Sequence, residues 1–267
     1  MKSVLVTGAY GGMGRATAEL LAGQGYRVLA LDRRVEEPTD AIIPIKADIT
    51  DEESLKAALK VVCGYAKGLY AILHFAGIYM LDSLAEMETE AFRRIFDINM
   101  QGAFLVNKTF LPLLETGSRI LITTSELAPL DPLPFTGIYA VTKGALDKYA
   151  YALRMELQLL GIHVSVLRAG AVDTGMLGAS TDALDRFCQE TKLYSCNASR
   201  FKTIVERVEA RRIPPQRLAQ KAARILQKRS PAFAYSINRN PLLLLLGILP
   251  KRLQLWAIRM VLRNKKV

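Results

Sequence analysis

Thr7-Gly8-Ala9-Tyr10-Gly11-Gly12-Met13-Gly14 follows directly on the apolar run Ser3-Val4-Leu5-Val6. Such a run reads as a buried parallel strand. The residues after the glycines, Arg15-Ala16-Thr17-Ala18-Glu19-Leu20-Leu21-Ala22, carry apolar positions at the three- and four-residue spacing of a helix. The glycines therefore occupy a strand-to-helix turn. Glycine permits positive φ and close approach of another group, and a helix N-terminus presents free N–H donors with a partial positive charge. A diphosphate suits both properties; an ordinary tight turn is the competing reading.

Outward from that turn, strand-like and helix-like stretches alternate. Arg27 to Leu31, Ile42 to Ile45, Tyr70 to Phe75, Arg119 to Thr123 and His163 to Leu167 read as strands, with helical patterns between them. The alternation predicts an α/β fold: a Rossmann-type doubly wound parallel sheet with right-handed crossovers, in a single domain over residues 1–240. From 175 to about 212 the pattern turns irregular, polar and partly helical, where loops beyond the strand ends gather around ligands, so this stretch is expected to be a substrate lid. Pro214-Pro215 then opens a helix through Leu218, Ala222, Ile225 and Leu226, which Ser230-Pro231 stops.

The 267 residues, 51% of them hydrophobic and 23% charged, suffice for one large core. Cys63, Cys188 and Cys196 are odd in number and unclustered, which suggests neither a disulfide framework nor a metal site and points to a reducing compartment. The first strand begins at once, leaving no room for a signal peptide, so a cytoplasmic protein is expected. The net charge of +11 is unevenly spread: residues 1–199 hold 19 Lys+Arg and 23 Asp+Glu, residues 200–267 hold 17 and 2.

Asp32 closes the second strand, 18 residues beyond Gly14, where a dinucleotide fold places the acid that binds ribose hydroxyls. Its carboxylate would repel a 2′-phosphate, whereas Arg33 and Arg34 would welcome one; NAD is the preferred cofactor and NADP stays open. Farther on, Leu121-Ile122-Thr123-Thr124-Ser125 precedes Tyr139-Ala140-Val141-Thr142-Lys143. Residues four apart share one helix face, so an ammonium can sit beside the phenol and is expected to favour phenolate. The serine hydroxyl can orient the same reacting oxygen.

In this order the residues resemble the short-chain dehydrogenase/reductase family over nearly the whole chain. Its TGxxxGxG turn stands as Thr7, Gly8, Gly12 and Gly14, enclosing Tyr10 and Met13; its YxxxK pair stands as Tyr139 and Lys143. Its active-site serine matches Ser125, one residue farther from the tyrosine than is usual. Asp48, followed by Ile49, matches the adenine-contacting aspartate, and Asn99 matches the asparagine that holds a water in the proton relay. The family's NNAG is His74-Phe75-Ala76-Gly77 here, so Ala76 and Gly77 remain and His74 reads as a core or turn residue. Its PG is Ala169-Gly170, with Val172 and Thr174 kept where the family contacts the nicotinamide carboxamide.

The resemblance implies a catalytic set of Asn99, Ser125, Tyr139 and Lys143 and hydride transfer between NAD and an alcohol or ketone. It also implies a homodimer or homotetramer built partly on the helix from Tyr139 to Leu160, where Ala145, Leu146, Tyr149, Leu153 and Leu157 are core or interface. A non-catalytic NAD(H)-sensing protein is the alternative. The long lid and the tail suggest a large apolar substrate, steroid- or retinoid-like. In residues 241–267 the apolar run Leu242 to Leu249 between prolines is far short of the ~20 residues of a membrane span. The next segment, drawn as a helix, sets Arg252, Arg259 and Arg263 on one side and Leu253, Trp256 and Met260 on another. This tail is expected either to fold over the substrate pocket or a subunit contact, or to lie peripherally on an anionic membrane surface. Nucleic acid is not expected, since stacking aromatics are scarce there.

Overall fold

The computed structural model describes residues 1–209 and 211–263, and their side chains except at 176–182, 208 and 209. Residue 210 of the expected lid and residues 264–267 of the expected extension lie outside the described residues. The strands are β1 (Ser3–Thr7), β2 (Arg27–Asp32), β3 (Ile42–Lys46), β4 (Leu69–His74), β5 (Leu114–Ser125), β6 (His163–Ala169) and β7 (Ala234–Ile237). All pair in parallel, in the order β3-β2-β1-β4-β5-β6-β7. The helices are α1 (Gly12–Gly23), α2 (Glu52–Tyr65), α3 (Thr89–Phe96), α4 (Gly102–Phe110), α5 (Gly137–Leu157), α6 (Gly175–Glu190), α7 (Ser195–Glu209), α8 (Pro215–Leu226), α9 (Pro241–Ile248) and α10 (Lys251–Leu262).

Successive side chains of a strand point to opposite faces, and β1 feeds two cores accordingly. Leu5 joins Leu55 and Val62 of α2, Val106 and Phe110 of α4, and Leu146 and Ala150 of α5. Val4 and Val6 join Ala18 and Leu21 of α1 with Leu218, Ala222 and Ile225 of α8. On α5, Leu146 and Leu157 are buried in the first core and Tyr149 and Leu153 pack on it. The helix's exposed apolar residues are instead Val141, Tyr151 and Met155. From β1 the chain winds outward through β2 and β3, then returns to lay β4 on the other side of β1. That reversal opens a crevice beyond the carboxyl ends of the strands.

Two elements differ from the sequence expectation. β7 was not foreseen: four half-buried edge residues past Pro231 give almost no periodic signal, and their place is set by pairing with Val166 to Ala169 of β6. The stretch expected to be an irregular, partly helical lid is built mainly of two regular helices, α6 and α7. Leu184, Phe187, Ala198 and Phe201 make a buried cluster only because Leu81 and Phe135, from two other loops, complete it. Phe135 stacks within 4.6–5.0 Å of Phe187, Tyr194 and Phe201 and holds φ +62°, a left-handed backbone that the surrounding cluster maintains.

Candidate active site

The glycine turn is tight for two separate reasons. Gly8 has φ +64°, and a Cβ on it would stand 2.6 Å from Ala76 N, so β1 and the exit of β4 need a bare backbone there. A Cβ on Gly14 would stand 2.0 Å from Gly8 O, the turn folded onto its own helix. Gly11 caps α1 with extended backbone and no side-chain bond, leaving the first-turn N–H groups for a ligand anion. In front of them runs a groove of about 750 Å³ lined by Gly8, Gly12, Met13, Gly14, Asp32, Arg33, Asp48, Ile49, Ala76, Gly77 and Thr174. Its volume and its bare-backbone floor suit a dinucleotide.

Asp32 is held at the groove's far end by Tyr10 N–H at 3.1 Å and Arg34 N–H at 3.4 Å. Burial pushes the Asp48 carboxyl up, but two hydrogen bonds from Thr50, at 2.7 and 2.9 Å, and the charge of Arg33 outweigh it and leave the group below its ordinary value. Thr7 and Tyr10 stand behind the wall. Thr7 Oγ1 accepts from Ala76 N–H at 3.4 Å, and the Tyr10 ring packs on the α1–α8 core. Thr7, a short side chain at the strand end, is drawn into the sheet, and neither side chain is among those that line the groove. Ile49 likewise turns its side chain toward Gly102. Thr50, Glu90, Arg94 and Gln101 also line the groove, and no spacing rule announced them.

Ser125 ends β5 and Tyr139 lies in the first turn of α5, one turn before Lys143. A second cavity, of about 230 Å³, has Ser125, Tyr139 and Lys143 in its wall. Lys143 Nζ donates to Thr123 O at 3.4 Å and sits 5.8 Å from the Tyr139 ring centroid, while the Tyr79 ring packs 4.8 Å from it. Asn99 lies in a wide π-helical turn, Asp97–Gln101, with its Nδ2 donating to Ile78 O at 3.0 Å and to Thr142 Oγ1 at 3.2 Å. Its Oδ1 accepts from Ile78 N–H at 2.8 Å, so the amide pins the β4 exit against α5. Gly77 lets both groups approach: a Cβ there would lie 3.0 Å from Asn99 Oδ1 and 3.3 Å from Lys143 Nζ. Gly170 and Val172 line the smaller cavity, and Thr174 borders both.

The electrostatics correct one expectation. Burial pushes the Tyr139 phenol up to about 12, against a lowering hydrogen bond with Ser125, and burial pushes Lys143 down to about 8. Desolvation penalises both charged forms and outweighs the attraction expected to favour phenolate, so the Tyr139 phenol is neutral at neutral pH. A depressed lysine pKa means that the unfolded chain binds more protons between about 8 and 10.5, so stability rises with pH there and the cost is complete below 8. Lys143→Met is therefore expected to raise the melting temperature at pH 7, reflecting a relieved cost on the order of 3 kcal/mol. The gain should shrink as pH climbs toward 10.5; thermal melts of both chains across that range check it, and a pH-independent difference would refute it. His74 is a buried core residue, with Nε2 2.9 Å from Asn107 Oδ1, and burial pushes it down to about 4.

Walls of the smaller cavity come from elements with no motif. Glu126, Leu127 and Leu133 follow β5, Phe201, Ile204 and Val205 come from α7, and Leu243 comes from α9. The C-terminal segment thus folds over this cavity. Glu126 accepts a hydrogen bond from Asn240 N–H, Asn240 Oδ1 accepts from Leu242 N–H at 3.0 Å to cap α9, and Asn197 Nδ2 of α7 donates to Leu262 O at 2.8 Å. Met13, Phe75, Gly77, Tyr79 and Thr174 line both cavities, which meet there.

Known proteins resemble this chain in sequence and in fold. The family model described as short chain dehydrogenase matches residues 2–185. Estradiol 17-beta-dehydrogenase 2 of Mus musculus is 32% identical over 201 residues, 71% of this chain and 52% of the mouse protein. NADPH-dependent 1-acyldihydroxyacetone phosphate reductase of Schizosaccharomyces pombe is 30% identical over 192 residues, 68% of this chain and 65% of the yeast protein. The chain spans about half the length of the mouse relative and just under two thirds of the yeast one. The crystal structure of 3-ketoacyl-(acyl-carrier-protein) reductase from Brucella melitensis complexed with NADH aligns with a TM-score of 0.71 at 23% identity, covering 88% of this chain and 96% of that one; the likeness is one of fold.

Proposed function

The chain belongs to the short-chain dehydrogenase family, and from that premise we propose that it is an NAD-dependent oxidoreductase acting on a secondary alcohol or ketone with a large apolar body. One observation carries the reading: Ser125, Tyr139 and Lys143 stand in an apolar-walled cavity that joins a dinucleotide-sized groove through residues common to both. The nicotinamide, when bound, supplies or accepts the hydride. Tyr139 gives its phenolic proton to the substrate oxygen in reduction and takes it back in oxidation, with Ser125 orienting that oxygen. Lys143, beside the place where the two cavities meet, holds the ribose hydroxyls and supplies positive charge when a phenolate forms. Apolar walls from α7 and α9 keep water from the reacting carbon. The sensing alternative gains nothing from this geometry, since sensing requires no proton donor beside the substrate cavity.

NAD is preferred because Asp32 presents a carboxylate where a 2′-phosphate would lie, and of the cations nearby Arg15 is paired with Glu36. Asp32→Ser is expected to move the ratio of kcat/KM for NAD over NADP toward NADP by roughly tenfold or more, about 1.4 kcal/mol. An unchanged ratio would place 2′-phosphate discrimination elsewhere. Homo-oligomerisation through the α4–α5 face is part of the same proposal, supported by exposed Phe104, Val141, Tyr151 and Met155. So are a cytoplasmic setting and peripheral membrane contact through the tail; no helix among the described residues is long and apolar enough to cross a membrane.

The deciding experiment follows absorbance of reduced nicotinamide with NAD or NADP and a panel of steroid, retinoid and long-chain aliphatic alcohols and ketones. Turnover with apolar members and none with short polar ones is the expected result. Turnover confined to small polar alcohols would overturn the substrate class.

A further inference from the structure

After Glu209 the sequence holds fourteen Lys or Arg and not one Asp or Glu. In the same stretch α9 and α10 divide into two faces. Inward, Leu243 forms cavity wall, Leu246 lines a small cavity with Leu130, and Gln254 is buried with its Nε2 donating to Leu249 O at 2.8 Å. Outward, Leu242, Leu245 and Ile248 follow one another at three-residue steps and are 64%, 61% and 80% exposed. On α10 Trp256 is 62% exposed and, at 100° per residue, has Leu253 and Met260 to one side and Arg252, Arg259 and Arg263 to the other. Among the described residues, the carboxylate that pairs with a basic side chain of α10 is Asp131, which takes Lys251.

We propose that this outward face of α9 and α10 docks on the surface of an anionic phospholipid bilayer, setting the wall of the substrate cavity against the phase in which an apolar substrate dissolves. Charge complementarity selects this occupant. Exposed aliphatics and a tryptophan flanked by arginines, with no acid, match an interface of acyl chains beneath anionic headgroups. A second copy of the chain is a poor match, because a two-fold contact through α10 would set its arginines against their own copies with no acid to pair them. Both helices are short, eight and twelve residues, and would lie in the plane of the surface. The polar ties beneath them, Glu126 with Asn240 and Lys251 with Asp131, keep the face presented while its inner side stays on the cavity. The docking deepens the peripheral tail contact of the proposed function by naming its face and its lipid, and rests on that reading for its purpose, the delivery of an apolar substrate.

Trp256 is the chain's one tryptophan, so its emission reads this face directly. The full-length protein is titrated with phosphatidylcholine vesicles, with and without about one third phosphatidylglycerol, at low and high salt. Expected are a blue shift with anionic vesicles only, its reversal in high salt, and quenching by lipids brominated on the acyl chains. Leu245→Glu with Ile248→Glu, at positions too exposed to matter for folding, should weaken co-flotation with anionic vesicles at least about tenfold while the melting temperature stays unchanged. An emission spectrum indifferent to anionic vesicles would overturn the proposal, as would a blue shift that grows with protein concentration without lipid, which would mark the face as a contact between copies. No substrate enters these measurements, so a failed activity panel leaves them readable.

Discussion

Tyr139→Phe is expected to lower kcat by about a thousandfold, within the range that a positioned proton donor supplies, while NAD affinity and melting temperature stay near those of the parent chain. The ring is what packs on Tyr79, at 4.8 Å, so phenylalanine keeps the shape of the wall and removes only the oxygen that bonds Ser125. Titration of NADH fluorescence beside the turnover assay separates chemistry from binding. Retained turnover would deny Tyr139 its role and leave proton transfer to another group. Loss of NADH binding together with turnover would mean that the residue builds the groove. The pH profile of reduction adds a check. With the phenol raised to about 12, the donor stays protonated across the neutral and mildly alkaline range, so a fall in kcat near pH 8 would report Lys143 losing its charge.

Gly14→Ala should have the largest effect on the folded state and on cofactor affinity together. The added Cβ would meet Gly8 O at 2.0 Å and Ala9 Cα at 3.1 Å, both backbone atoms that no rotamer change can move aside. Overpacking of this kind costs about 3 kcal/mol, and here the strain falls on the turn that aims the α1 N–H groups into the groove. A lower melting temperature with NADH binding weakened at least about tenfold is expected, by thermal melts and fluorescence titration. Gly23→Ala is the control, because nothing lies within 4 Å of a Cβ there. Equal behaviour of the two variants would show that the turn tolerates a side chain and that the tight packing at Gly14 is unimportant.

What was legible in the chain follows the range of the interactions concerned. The turn 7–14 could be read because its requirement is local: a strand must reverse into a helix within a few residues, and glycine alone supplies the backbone. Tyr139 and Lys143 were legible because helical periodicity puts residues four apart on one face whatever surrounds them. Asp32 was legible by its distance from the glycines along one βαβ unit. Thr7 and Tyr10 carry the same signature yet stand behind the groove's lining, since a motif records which residues recur and is silent on which way each side chain turns.

The sequence by itself determined the parallel sheet, the groove-facing turn, the order of the candidate catalytic residues and the basic character of the tail. Periodicity, glycine spacing and formal charge are properties of the chain and survive any packing. Tertiary structure alone decided the direction of the Tyr139 shift, because desolvation depends on what other elements bury and outweighs a charge one helical turn away. It alone added β7, whose four residues are strand only by pairing with β6. It alone gave the smaller cavity its walls, where Leu133, Phe201 and Leu243, far apart in sequence, meet through the folding of α7 and α9 over the sheet.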